Sequence, residues 1–142
     1  MEGCAKVEFS IKEYGKYLES EILNLYRSVG WTNYTDRPGM LKSAYENSLK
    51  ILGAYADGQL LGIIRVVGDG CSVILIQDIL VSPEYQRKGI GAALVSEILA
   101  LYQNVYQKVL LTDNTEKTIQ FYRSVGFEMD TDIGCRAFVK MY

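Results

Sequence analysis

The chain has 142 residues, 49% of them hydrophobic and 23% charged, with a net charge of −2 and no histidine. This size and balance describe one domain spanning residues 1–142, with enough interior for a core, and exclude a disordered chain or a strongly basic nucleic-acid binder. The missing histidine excludes hydrolases built on an imidazole base, His-liganded metal centres and phosphohistidine relays.

In chain order, Ala5–Phe9 is predicted as a first strand. Leu18, Ile22, Leu25, Tyr26 and Val29, spaced by three and four, predict an amphipathic helix that Gly30 ends. A polar and aromatic loop, Trp31 to Arg37, leads to Pro38, which opens a second helix running to about Ser48. The period then changes. Ile51–Ala56 and Leu60–Val67 are strand-like runs around Asp57-Gly58, a tight hairpin signal. Gly68-Asp69-Gly70 makes another turn before a strand over Ser72–Val81. A loop through Ser82-Pro83-Glu84-Tyr85 enters a helix from about Gly89 to Tyr102, with Leu94, Val95, Ile98, Leu99 and Tyr102 towards a core. Lys108–Thr112 is predicted as a strand parallel to its predecessor, because a helical crossover separates them. Asp113 to Glu116 has capping-box character and starts a last helix ending at Gly126. Phe127–Met129 and Arg136–Met141 are predicted as closing strands.

Tyr26-Arg-Ser-Val-Gly-Trp31 echoes Tyr122-Arg-Ser-Val-Gly-Phe127, but the flanks do not match, so shared helix-stop chemistry explains the echo better than duplication. Cys4, Cys71 and Cys135 lie far apart without CxxC spacing, as expected of free thiols in a reducing compartment. No metal site is expected. Met1–Ser10 lacks a signal-peptide core, and no apolar stretch nears the roughly 20 residues of a membrane span. A soluble, cytoplasmic protein without nucleic-acid or membrane partners is therefore expected.

The informative stretch is Gln77 to Leu94, where a buried strand runs into a glycine-bearing turn that opens a helix. Gly89 and Gly91 let the backbone approach a ligand, free N–H groups point out of the helix start, and Arg87 and Lys88 add positive charge. Phosphate suits such a place. A P-loop GxxxxGK[ST] is absent, and the third glycine of a dinucleotide fingerprint is Leu94. Two glycines at an ordinary helix start would look the same in isolation.

Gln86-x-x-Gly89-x-Gly91, together with Phe121-Tyr122-Arg-Ser-Val-Gly126-Phe127, resembles the GCN5-related N-acetyltransferase family over roughly residues 50–128. The resemblance implies an α+β (mixed α/β) fold, a mostly antiparallel sheet with splayed parallel strands four and five and helices on both faces. It implies acetyl-CoA as cosubstrate, its pantetheine arm on the backbone of Ile79, Leu80 and Val81 and its pyrophosphate on the amides of Arg87, Lys88, Gly89, Ile90, Gly91 and Ala92, with Gln86 of the motif among the cofactor-binding residues. The family often carries an asparagine seven residues before the helix tyrosine. Here that position is Thr115, and Asn114, one residue early, is the candidate.

Acetyl transfer to an amine requires a neutral amine, a polarised thioester and a protonated leaving thiolate. Removing the proton from a lysine-like amine at pH 7 costs roughly 4–5 kcal/mol. By resemblance, Tyr122 is the acid for the departing sulfur, since a phenol keeps its proton at neutral pH. Asp78, on the strand lining the implied cleft, is the candidate base, directly or through water; a structural carboxylate is the other reading. Without histidine, the alternatives are a backbone carbonyl, a held water or solvent. Trp31, Tyr34, Asp36, Arg37 and Tyr45 are the candidate substrate contacts, suited to a small primary amine, although plain loop packing also explains them. Acetylation of a protein lysine or N-terminus, or a non-catalytic acyl-CoA-binding module, are the competing readings; family members are often homodimers.

Overall fold

The alternating, β-branched middle of the chain builds a five-stranded sheet in the order β1-β2-β3-β4-β5. The computed structural model describes residues 7–141, and the chain divides into two compact units, Met1–Leu111 and Thr112–Tyr142.

Among the described residues, the first unit contains every strand. β1 (Ser10–Glu13) and β2 (Lys50–Ala56) pair antiparallel, as do β2 with β3 (Gln59–Gly68) and β3 with β4 (Val73–Val81). Asp57 and Gly58 both hold positive φ, 51° and 77°, the requirement of the two-residue turn that matches strand twist. β5 (Gln107–Leu110) runs parallel to β4, but its pairing covers only Val73–Ile76. Beyond Ile76, β4 continues with that edge unpaired by β5, which is the expected splay.

Helices cover both faces of this sheet. α1 (Glu19–Ser28), the four-residue α2 (Thr32–Thr35) and α3 (Pro38–Glu46) lie on one face, where Ile22, Tyr26, Leu41 and Tyr45 pack with Ile51, Ile63 and Leu80. α4 (Ile90–Leu101) packs on β2, β3 and β4 and buries Ile90, Leu94, Val95 and Ile98.

A one-residue irregularity in β4 decides which face each side chain meets. Arg65 pairs with Asp78 but Val66 pairs with Ile76, leaving Gln77 as the extra residue. Cross-strand partners share a face, and consecutive residues alternate. Asp78 and Leu80 therefore share the face of Arg65 and Ile63, under α1–α3, opposite to Ile74 and Ile76.

In the second unit, Thr115 caps α5 (Glu116–Ser124), its hydroxyl accepting from the Thr118 amide at 3.3 Å. The echoed hexapeptides are indeed two copies of one helix stop. The amides of Trp31 and Phe127 donate to the carbonyls of Tyr26 and Tyr122, those of Gly30 and Gly126 to Arg27 and Arg123, and both glycines hold positive φ.

Two strand expectations are corrected. Among the described residues the first strand starts at Ser10, past the expected Ala5–Phe9. Residues 7–9 are irregular, and Ala5 and Lys6 lie outside the described residues. β1 is a largely exposed edge, so its sequence carries little apolar alternation. Phe127–Met129 and Arg136–Met141 form no strand; Asp130–Ile133 is a short 3-10 turn instead. Asp130 accepts from the amides of Thr131 and Ala137, and Asp132 from the Met129 amide and Arg123, so side chains take the bonds a ladder would use.

Candidate active site

The open edge of β4 has a definite hydrogen-bonding phase. The Ser82 amide donates to the Leu61 carbonyl at 2.8 Å, in register with the Gly62–Val81 pair. Antiparallel pairs alternate, so Ser82 and Leu80 turn their backbone groups towards β3, while Ile79 and Val81 turn theirs to the open edge. The Val81 carbonyl receives a hydrogen bond from Gln86 Nε2 at 3.0 Å, which ties the following turn to the strand. Of the three expected strand residues, Ile79 and Val81 thus offer backbone groups outward, and Leu80 contributes its buried side chain to the core.

Pro83–Tyr85 forms a single 3-10 turn, after which Arg87 (φ 63°) and Gly89 (φ 85°) bend the chain into α4. Gly89 is the residue before the helix, and the first helical bond is donated by Ala93 to the Gly89 carbonyl at 3.0 Å. Among the described residues, the amides of Arg87, Lys88, Gly89, Ile90, Gly91 and Ala92 find no backbone acceptor. Orphan donors at the positive end of a twelve-residue helix, beside two cationic side chains, suit an anion.

On the other sheet face lies a buried polar cluster. Asp78 and Arg65 are 2% and 4% exposed, and Arg65 Nε donates to Asp78 Oδ2 at 2.8 Å. Tyr26 donates to the same oxygen at 2.8 Å, and Tyr34 donates to Oδ1 at 2.9 Å. Tyr26 and Tyr45 share a hydrogen bond of 3.0 Å, Arg65 also donates to Ser48 Oγ at 3.3 Å, and the guanidinium lies 5.7 Å from the centre of the Tyr45 ring. Burial raises the Tyr26 and Tyr45 hydroxyls far above the usual phenol range, and raises that of half-buried Tyr34 as well. All three phenols stay protonated at neutral pH.

The expected substrate residues divide accordingly. Trp31, Tyr34 and Tyr45 converge on Tyr26, with ring centres 5.9, 5.2 and 6.4 Å away. Asp36 and Arg37 are exposed. Asp36 closes α2 through its amide, and Arg37 turns back to donate to the Asn33 carbonyl at 2.8 Å. Sequence reasoning missed Arg65 and Tyr26 as polar participants. A signal existed: Arg65 is the one charge in the apolar run Leu60–Val67, and Asp78 the one charge in Ser72–Val81.

In the second unit, Tyr122 packs edge-on against Phe121 (5.0 Å) and Phe127 (6.0 Å). Burial, and then the Asp113 charge, push its hydroxyl up to about 12. Asn114 is exposed and lies one residue before the capping Thr115.

The model of the acetyltransferase (GNAT) domain family matches residues 47–129, which include the β4–α4 turn and α5. The chain belongs to the GNAT family of acetyl-CoA-dependent N-acetyltransferases. A solved GNAT-family acetyltransferase from Streptococcus pneumoniae is 39% identical, with a TM-score of 0.86 over 95% of this chain and 98% of that one. An uncharacterised N-acetyltransferase of Prochlorococcus marinus is 31% identical over 78% of this chain and 62% of its own length. A chloroplastic GCN5-related N-acetyltransferase of Arabidopsis thaliana is 36% identical over 75 residues, so the GNAT match spans only 29% of that plant protein. Among the described residues, no helix is long and apolar enough to cross a membrane.

Proposed function

We propose that this chain transfers the acetyl group of acetyl-CoA to the primary amine of a small molecule, by direct attack within a ternary complex. The family match runs across both units, which supports treating residues 1–142 as one acetyltransferase domain. The observation that carries the cosubstrate half is the run of orphan amides from Arg87 to Ala92, directly after a strand whose far edge is open. The amides, with Arg87 and Lys88, would take the pyrophosphate, and the outward groups of Ile79 and Val81 would take the amide-bearing arm as an added strand. Asn114 remains the candidate for the family's asparagine by resemblance alone. The thioester supplies an activated acyl carbon and a thiol leaving group.

Tyr122 holds its proton through neutral pH and donates it to the departing sulfur. Asp78 stands differently from the direct base its position suggests. Both its oxygens already accept hydrogen bonds, one of them from a guanidinium, and the side chain is almost fully withdrawn from solvent, so the incoming amine does not meet it directly. The geometry favours proton removal from the amine by solvent, with Asp78 acting on the amine through Tyr34. Trp31 and Tyr34 supply aromatic surface for a small cation.

The test is thiol release from acetyl-CoA against a panel of small primary amines and lysine peptides. Release with small amines is expected. Release with peptides alone moves the reading to protein acetylation, and saturable CoA binding without release for any acceptor moves it to a binding module.

A further inference from the structure

The polarity of the hydrogen bonds around Asp78 leads one step past the acetyltransferase reading, on which this inference rests. Asp78 is a carboxylate beside a guanidinium and only accepts; it takes Arg65 Nε and the Tyr26 hydroxyl on Oδ2. Its remaining oxygen, Oδ1, takes the single proton of Tyr34 at 2.9 Å. The Tyr34 oxygen is then left with lone pairs and no proton to offer. Its other polar neighbour agrees, since Gln77 Nε2, a donor, stands 3.4 Å away. Gln77 is exposed, is the extra residue of the β4 irregularity, and follows Ile76, the last β4 residue paired with β5. Tyr34 therefore presents an acceptor where the edge of β4 opens.

We propose that Arg65 and Tyr26, acting through Asp78, fix the Tyr34 hydroxyl as the hydrogen-bond acceptor for an N–H of the incoming amine. A neutral primary amine has two N–H bonds and one lone pair. Giving one N–H to Tyr34 constrains where the lone pair points while leaving it free to attack. A carboxylate in the same place meets lone pairs and is turned away, so the site selects donors. Tyr34 touches the substrate in this scheme, and Arg65 and Tyr26 are positioning residues.

The test uses the full chain carrying tyrosine labelled with carbon-13 at the ring carbon bearing oxygen, with the Tyr34 signal assigned by its loss in Tyr34→Phe. Methylamine is titrated in the presence of CoA, with potassium chloride holding ionic strength constant. Tetramethylammonium, a cation without N–H, is the control. A saturable shift of the Tyr34 signal with methylamine and none with tetramethylammonium is expected. Equal responses, or none from either cation in protein that binds CoA, overturn the proposal while leaving the acetyltransferase reading intact. Failure to bind CoA overturns both. In turnover with methylamine, Tyr34→Phe and Arg65→Lys should each raise the amine KM by about tenfold, the scale of one hydrogen bond, with the acetyl-CoA KM unchanged. An unchanged amine KM in Arg65→Lys removes Arg65 from the scheme.

Discussion

Arg65 and Asp78 stand directly opposite each other on β3 and β4 and share a 2.8 Å ion pair, both almost fully withdrawn from solvent. Each is the single charge of its strand core, and each neutralises the cost of burying the other. Removing one partner leaves an uncompensated interior charge. Asp78→Leu or Arg65→Leu should therefore lose about 3–5 kcal/mol in urea unfolding, while the double variant recovers much of that loss. Additive losses would show that the two charges are satisfied independently.

Tyr122 carries a chemical prediction separable from stability. Tyr122→Phe keeps the ring against Phe121 and Phe127 and removes only the hydroxyl. kcat should fall by about 10²–10⁴, the range of general-acid catalysis, with the acetyl-CoA KM little altered. Steady-state thiol release checks this, and unchanged turnover across pH would take the acid role from Tyr122.

Gly89 tests the cosubstrate seat. Nothing lies within 4 Å of where a Cβ would sit, so Gly89→Ala meets no steric clash, only the strain of a side chain at φ 85°. That strain is worth about 1–2 kcal/mol, and relieving it by turning the peptide would misdirect the neighbouring amides. A lower melting temperature together with weaker CoA binding by calorimetry is expected; unaltered affinity would detach the turn from cofactor binding.

Alkaline stability should report the tyrosine cluster. Burial first, and the neighbouring tyrosine and Asp78 next, hold the folded-state Tyr26 proton more tightly than the unfolded chain does; burial does the same for Tyr45. A group raised in this way stabilises the fold fully below its unfolded pKa, about 10, and loses that contribution as pH climbs beyond it. Unfolding free energy should fall steeply above about pH 10, and Tyr26→Phe should flatten the fall.

The elements most readable from sequence were those whose signals are local. The β2–β3 hairpin lay in Asp57-Gly58, the stop of α1 in Gly30-Trp31 and the amide turn in Gly89, because φ preference and helix-end chemistry act over a few residues. β1 escapes the pattern, since an exposed edge strand needs no apolar alternation. Apolar residues alone suggest the closing strands, where Asp130 and Asp132 bind the local backbone instead. Aromatic character alone marks Trp31, Tyr34 and Tyr45, and it does not carry the reason that brings them together.

Read alone, the residues mark a glycine-bearing helix start, a phenol in a recurring helix-end motif, and the exclusion of imidazole chemistry. The tertiary structure alone decided what Asp78 does. One extra residue, Gln77, reverses the facing of β4 and turns that carboxylate from the α4 side to the side of Arg65, Tyr26 and Tyr34. Strand pairing across a sheet sets that reversal, and pairing between segments far apart in the chain leaves no mark in the period of either one.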